Sequence, residues 1–293
     1  MSPSPEGILN MDKPTGITSH DVVNRVRRVA GLRRVGHAGT LDPLATGVLL
    51  LCLGRATRLV EYMMGQPKTY EVVIRLGQNT DTYDAEGEVV AERPCHITPY
   101  DLTTALAQFR GPIQQTPPLY SAIKKDGQPL YKLARQGKEV EIEARAVTIY
   151  QLEQLAFNLP LLTLRVVCSS GTYIRSLAHD LGEALGCGGH VAALRRTAVG
   201  HFTLDTAVPL GTLTPENLAT HTLPLDTTVS HLPAVNFSEI EATRLWQGQF
   251  VRHQPHQSLA NLARAYTSDG QFMGIVILSA TNEWQPHKMF HPA

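Results

Sequence analysis

The chain has 293 residues, 43% of them hydrophobic and 18% charged, and its 26 basic side chains balance 26 acidic ones. That is an ordinary globular composition, long enough for one large or two ordinary domains. Its zero net charge argues against nucleic-acid binding through bulk charge, and its longest apolar run, near Val48, is far too short to span a bilayer.

Gly7 to Asn10 reads as a short first strand. Ser19 reads as the N-cap of a helix that buries Val22, Val23, Val26 and Val29 and stops at Gly31. The run Gly36-His37-Ala38-Gly39-Thr40-Leu41-Asp42-Pro43-Leu44-Ala45-Thr46-Gly47 then leads into Val48-Leu49-Leu50-Leu51-Cys52-Leu53, an apolar stretch of buried-strand length. Pro43 biases Asp42 towards extended backbone. The spacing predicts a helix over Arg55 to Met64 and a half-buried strand over Thr69 to Leu76, with Tyr70, Val72 and Ile74 on one face. A turn at Thr80 to Gly87, a return strand at Glu88 to Ala91 and a helix opened by Thr98 and Pro99 follow. Gly111 to Gly127 reads as a long loop, Gln128 to Gln136 as a short helix and Ala146 to Leu155 as a strand. Leu161 to Cys168 reads as a strand and Thr172 to Leu185 as a helix. Val191 to Arg196 reads as a helical turn and Val199 to Leu204 as a strand. Prolines, threonines and histidines break all periodicity between Pro209 and Pro233; beyond them Phe272 to Leu278 is the clearest strand of a small β-rich module.

Cys52, Cys95, Cys168 and Cys187 form no Cys-x-x-Cys pair, and the twelve histidines are scattered without ligand spacing, so neither metal nor cofactor is expected. Cys52 and Cys168 read as small buried hydrophobes. Arg25, Arg27, Arg28, Arg33 and Arg34 cluster before Asp42, and Lys124, Lys125, Lys132, Arg135 and Lys138 form a second basic stretch. Both are candidate phosphate contacts; each also reads as a solvated face. A carboxylate on a constrained loop at the mouth of a buried strand is a common place for a reactive group, although Asp42-Pro43 alone also reads as an ordinary turn.

The run around Asp42, continued through Gly54-Arg55-Ala56-Thr57-Arg58, resembles the catalytic-loop motif of the TruB family of tRNA pseudouridine synthases. Three further stretches resemble the same family in the same order: Leu9-Asn10-Met11-Asp12-Lys13-Pro14-Thr15-Gly16 with Thr18-Ser19, then Lys68-Thr69-Tyr70, then Cys168-Ser169-Ser170-Gly171-Thr172-Tyr173-Ile174-Arg175. The resemblance covers about Gly7 to Leu204; four motifs in order are specific where one would be weak. It implies an α+β fold. A pseudouridine-synthase core, with a mixed, mainly antiparallel sheet and flanking helices, would occupy 1–208. A thumb-like insertion is expected at about 112–145, mobile until RNA orders it. A linker would follow at 209–233 and a β-rich, PUA-like RNA-binding domain at 234–293.

The resemblance also assigns roles. Asp42 is the nucleophile or electrostatic partner, Arg175 pairs with it, and Asp84 completes an ion network. Tyr70 stacks on the uracil and assists proton transfer, Tyr173 and Leu194 line the uridine pocket, and His37 enters the RNA loop to support the flipped nucleotide. Arg58 stands where the family usually has lysine, a substrate contact that arginine can serve. The expected activity is cofactor-free isomerisation of the T-loop uridine at conventional position 55 of tRNA, by a cytoplasmic monomer with no obligatory protein partner. Two other readings stay open: a subunit of a guide-RNA particle, which the thumb-like insertion and the lack of long basic tails argue against, and a non-enzymatic RNA-binding module.

Overall fold

The run 48–53 is continuously apolar because it is buried on both faces of a sheet. Leu49, Leu51 and Leu53 point into one core and Val48, Leu50 and Cys52 into another. The computed structural model describes residues 5–291 except 122, 126, 131, 132, 134, 135, 137–139 and 255–259. In chain order the first elements are β1 (Gly7–Lys13), α1 (Ser19–Ala30), β2 (Val35–His37), β3 (Thr46–Leu53) and a 3-10 turn (Gly54–Leu59) that runs into α2 (Val60–Met64). Then come β4 (Lys68–Leu76), β5 (Gln78–Thr80), β6 (Val89–Glu92), α3 (Pro99–Gln108), β7 (Gly111–Gln115), β8 (Lys124–Lys125), β9 (Gln128–Pro129), β10 (Arg145–Asn158) and β11 (Leu161–Cys168). The core closes with α4 (Ile174–Ala184), β12 (Gly189–Val199), β13 (Phe202–Thr203), β14 (Val208–Pro209) and α5 (Leu218–His221). Last are β15 (Ala234–Phe237), α6 (Glu239–Trp246), β16 (Val251–Arg252), β17 (Leu262–Thr267), β18 (Phe272–Leu278) and β19 (Glu283–Met289).

The main sheet runs β14-β1-β3-β12-β4-β11-β10-β7, with β2 and β13 on its flanks. Its neighbours are antiparallel except β1 with β14 and β3 with β12. The mixed, mainly antiparallel α+β architecture is therefore as expected. A second sheet, β15-β17-β18-β19-β16, encloses Phe237, Leu245, Met273 and a fully buried Trp284. Leu59 and Val229 meet Ile275 and Phe290 in a small apolar cluster where this sheet docks on the core. Among the described residues no helix is long and apolar enough to cross a membrane.

Five readings of the sequence need correcting. The stretch 191–196 is not helical but lies within β12, in the middle of the sheet between β3 and β4. Its alanines, leucine and arginines favour helix locally, and pairing on both edges overrides that preference. The loop at 111–127 begins as the edge strand β7, where Pro112 is tolerated because an edge position leaves its missing N–H unneeded. The helix at 128–136 is not there from its start: Gln128 and Pro129 pair with Lys125 and Lys124, and much of the rest, like part of the thumb-like insertion's second half, lies outside the described residues. The segment 209–233 is no free linker, since Leu210, Leu213 and Leu218 are buried in the main core. The helix cap is Thr18 rather than Ser19, in a reciprocal capping box with Asp21, while Gly31 ends the helix in the left-handed conformation as expected.

Candidate active site

Residues 38–45 form the loop between β2 and β3, and cations hold it by its backbone. The Lys13 ammonium, at the end of β1, donates to the carbonyls of Pro14 (3.0 Å), Pro43 (3.2 Å) and Ala45 (2.7 Å). Burial pushes it down to about 8, and the nearby Asp42 charge opposes that shift. Ser19, displaced from the capping position, donates its hydroxyl to Leu41 O (2.9 Å) and accepts from Leu41 N–H (2.8 Å). Gly47 has φ +100°, and a Cβ there would stand 2.2 Å from Arg196 O. Gly47→Ala is therefore expected to cost about 2–3 kcal/mol, read as a lower urea midpoint with an unchanged slope; an unchanged midpoint would show that the strands can separate freely.

Asp42 leaves this loop to meet Arg175, which sits in the first turn of α4 with only 7% of its side chain exposed. Arg175 Nε lies 2.9 Å from Asp42 Oδ2, and Nη1 lies 3.4 Å from Asp84 Oδ2. The same guanidinium donates to Thr82 O (3.1 Å) and Tyr120 O (2.9 Å). Asp84 is fixed in turn, accepting from Thr82 Oγ1 (2.7 Å) and Glu86 N–H (3.1 Å). One face of α4 carries this turn: His179 stacks on the Tyr83 ring at 3.9 Å, and Glu183 accepts from Asn79 and Arg93. Arg175, His179 and Glu183 follow at four-residue spacing, so one helical stripe sets where Asp84 stands. Crowding around Asp42 pushes its carboxyl above the usual carboxylate value; Arg175 pulls it back and Asp84 pushes it up again. Its side chain is still 37% open, so a reactant can reach it.

The opening leads to a cavity of about 290 Å³ lined by Asp42, Tyr70, Tyr173, Arg175 and Leu194, with Lys68 and Arg196 on its walls. Tyr70 and Leu194 are nearly buried, on the adjacent strands β4 and β12. Tyr173 is locked by its backbone, whose N–H donates to Gln115 Oε1 (2.8 Å) and whose carbonyl accepts from Gln115 Nε2 (3.0 Å). Lys68 donates to Gln66 O (2.8 Å) and to Met64 O, closing the end of α2, and burial pushes it down to about 8. Burial raises the Tyr70 and Tyr173 phenols. Cys52 and Cys168 are fully buried, their thiols pushed up to about 12 and about 11.

Two expected site residues stand apart from this cavity. His37 ends β2 at the base of the loop, and burial, with Arg196 nearby, lowers its imidazole below the ordinary histidine value. Arg58 is turned to the second sheet, donating to Met289 O (2.8 Å) with its guanidinium 5.0 Å from the Phe290 ring centroid. Arginine suits that place because it hydrogen-bonds and stacks at once. A wider cleft of about 460 Å³ lies at the same seam, but there Arg55 is paired with Glu6 and Asp226 accepts from Tyr266, so both charges are engaged. Lys68, Arg196 and Gln115 line or brace the cavity without having been singled out for it. Lys68 is the first residue of the Lys-Thr-Tyr motif and so had a signal; the other two show theirs only after folding. Among the described residues no group of three or more His, Cys, Asp or Glu is placed to hold a metal.

Residues 27–174 match the TruB family pseudouridylate synthase N-terminal domain. The chain is 49% identical over 276 residues to the tRNA pseudouridine synthase B of Pseudomonas aeruginosa, covering 92% of this chain and 90% of that one. The chain belongs to the TruB family of pseudouridylate synthases. The family's C-terminal regions match 175–230 and 233–290, so the second sheet is the TruB-type C-terminal module. The tRNA pseudouridine synthase B of Pasteurella multocida is 41% identical, with 97% of this chain and 95% of that one covered. Among solved structures, a chain of a Cbf5–Nop10–Gar1 complex superposes with a TM-score of 0.74 at 26% identity, covering 98% of this chain and 85% of that one.

Proposed function

We propose that this chain isomerises a uridine of tRNA to pseudouridine, and that the uridine is the T-loop one at conventional position 55. The observation that carries the reading is the Asp42 carboxylate, paired with a buried Arg175 at the opening of a cavity walled by Tyr70 and Leu194. Relatives at 41–49% identity named tRNA pseudouridine synthase B support it. The reaction breaks the ribose C1′–N1 bond, joins C1′ to C5, releases the C5 proton and places a proton on N1, so reactant and product have the same composition. Asp42 supplies an ionised carboxylate at the reacting ring, and Arg175 keeps it ionised and oriented. Tyr70 and Leu194 enclose a uracil turned out of its stack, at an unstacking cost of about a few kcal/mol. Exposed Arg25, Arg28, Arg33 and Arg34, which shortly precede the loop in the chain, are the phosphate contacts for the T-arm, and His37 supports the extruded nucleotide from the loop base. The chain acts without cofactor or protein partner, as a monomer in the cytoplasm, and the C-terminal module adds RNA contacts.

The test is tritium release from a tRNA transcript labelled at uridine C5, with the purified chain alone. Release from the native transcript and none from one carrying cytidine at position 55 is the expected result. Release from both would move the target elsewhere. The similarity to a chain of a Cbf5–Nop10–Gar1 complex keeps a second reading in play, that of a guide-dependent subunit; turnover of bare tRNA would end it. The charge balance at Asp42 gives a further expectation. Asp84 raises the Asp42 pKa, so Asp84→Asn should move the acid limb of the single-turnover rate to lower pH, whereas loss of the Arg175 charge should move it higher. An Asp84→Asn limb that stays in place would mean the limb is not Asp42.

A further inference from the structure

Arg196 is among the largest fully buried side chains of the protein, with 1% of its surface exposed, and among the described residues no carboxylate pairs with it. Burying an unpaired cation is costly unless its donors are satisfied. Here they are met by the loop that carries Asp42. Nε donates to Val48 O (2.7 Å), Nη2 to Gly39 O (3.1 Å) and Nη1, at longer range, to Thr40 O (3.4 Å). Its backbone pairs with Gly47, in β3 just beyond the loop. On the opposite edge of β12 it pairs in register with Tyr70, and both side chains line the same cavity. One side chain thus touches the start of the Asp42 loop and the strand β3 that follows it, and beside its strand neighbour Tyr70 it lines the cavity.

Resting on the reaction proposed above, we infer that Arg196 is a positioning residue that fixes the Asp42 loop and the Tyr70 hydroxyl relative to each other. A planar fork of five donors that holds three carbonyls keeps two N–H groups free for the neighbouring phenol; a lysine ammonium, with three donors on one nitrogen, cannot do both. A displacement of about 1 Å at a reacting group costs on the order of 100-fold in rate.

The test uses full-length Arg196→Lys and Arg196→Gln proteins, alone and combined with Tyr70→Phe. Single-turnover rates are measured beside the tRNA dissociation constant. Each folded single variant is expected to lose roughly 100-fold in rate while tRNA affinity stays within about threefold, since Arg196 exposes only 1% of its surface. The loss should shrink in the Tyr70→Phe background, because the coupling partner is already gone. A rate preserved in Arg196→Gln, or a loss of equal size with and without the Tyr70 hydroxyl, overturns the inference. Should the Arg196 variants fail to fold, nitrogen NMR of the guanidinium decides it: Tyr70→Phe should shift an Arg196 Nη signal, and an unmoved signal overturns it. A wild type inactive on tRNA would sink the proposed function and leave this spectroscopic coupling still measurable.

Discussion

An Asp42→Asn protein is expected to bind tRNA as wild type does and to form almost no pseudouridine. The amide keeps the shape of the carboxyl, and its oxygen can still accept from Arg175 Nε, 2.9 Å away in the native pair. What disappears is the negative charge. Removal of a central catalytic group typically costs four orders of magnitude or more, roughly 10⁴-fold, and that is the expected fall in tritium release under single-turnover conditions. Filter binding should change by no more than about twofold. Retention of more than about a hundredth of the rate would remove Asp42 from the chemistry. Stability gives an independent check. Asp42's pKa is raised in the folded protein, so the native state holds this proton more tightly than the unfolded chain. Ionising it costs stability, and the cost sets in as pH rises from the ordinary carboxylate range through the raised native value. The asparagine protein, free of that cost, should therefore unfold at the same or a higher urea concentration at neutral pH.

Arg175→Met is expected to be worse for the fold and nearly as bad for the rate. Arg175 is 6% exposed and serves two carboxylates and two carbonyls. Without it Asp42 and Asp84 lose the counter-charge they share, and Thr82 and Tyr120 lose their donor. Breaking a buried pair from one side costs about 3–5 kcal/mol, to be read as a lower urea midpoint. Residual activity should appear only at higher pH, because Asp42 loses the charge that pulls its pKa down. Arg175→Lys restores charge without the fork, so it should recover less than a tenth of wild-type rate. A methionine variant with native stability and native pH profile would show that the observed pairing carries neither function.

Legibility followed the range of the forces involved. The strand over 161–168 and the helix opened by Thr98 and Pro99 stood where local signals put them, alternation in one case and a capping box in the other. Asp42, Tyr70 and Arg175 were recognisable because their motifs are contiguous in sequence. β12 was misread because its residues favour helix and its pairing partners lie far away in the chain. Ser19 looked like a cap, yet its hydroxyl serves Leu41 across the fold while Thr18 does the capping. Gln115 sat in what looked like a polar loop, and only folding shows it bracing Tyr173. Arg196 is one of two adjacent arginines; alternation on a strand sends Arg195 out to Asp12 and Arg196 into the core, a distinction that a helical reading erases.

The Asp42 loop is gripped through its carbonyls by Lys13, Arg196 and the hydroxyl of Ser19, before any RNA arrives. Main-chain restraint of this kind leaves the protein little to rearrange on encounter, so adaptation falls on the nucleic acid. The pliancy of the substrate loop, rather than that of the enzyme, then becomes the quantity that sorts good substrates from poor ones: a loop whose target base unstacks easily is processed quickly, and a stiffened one waits.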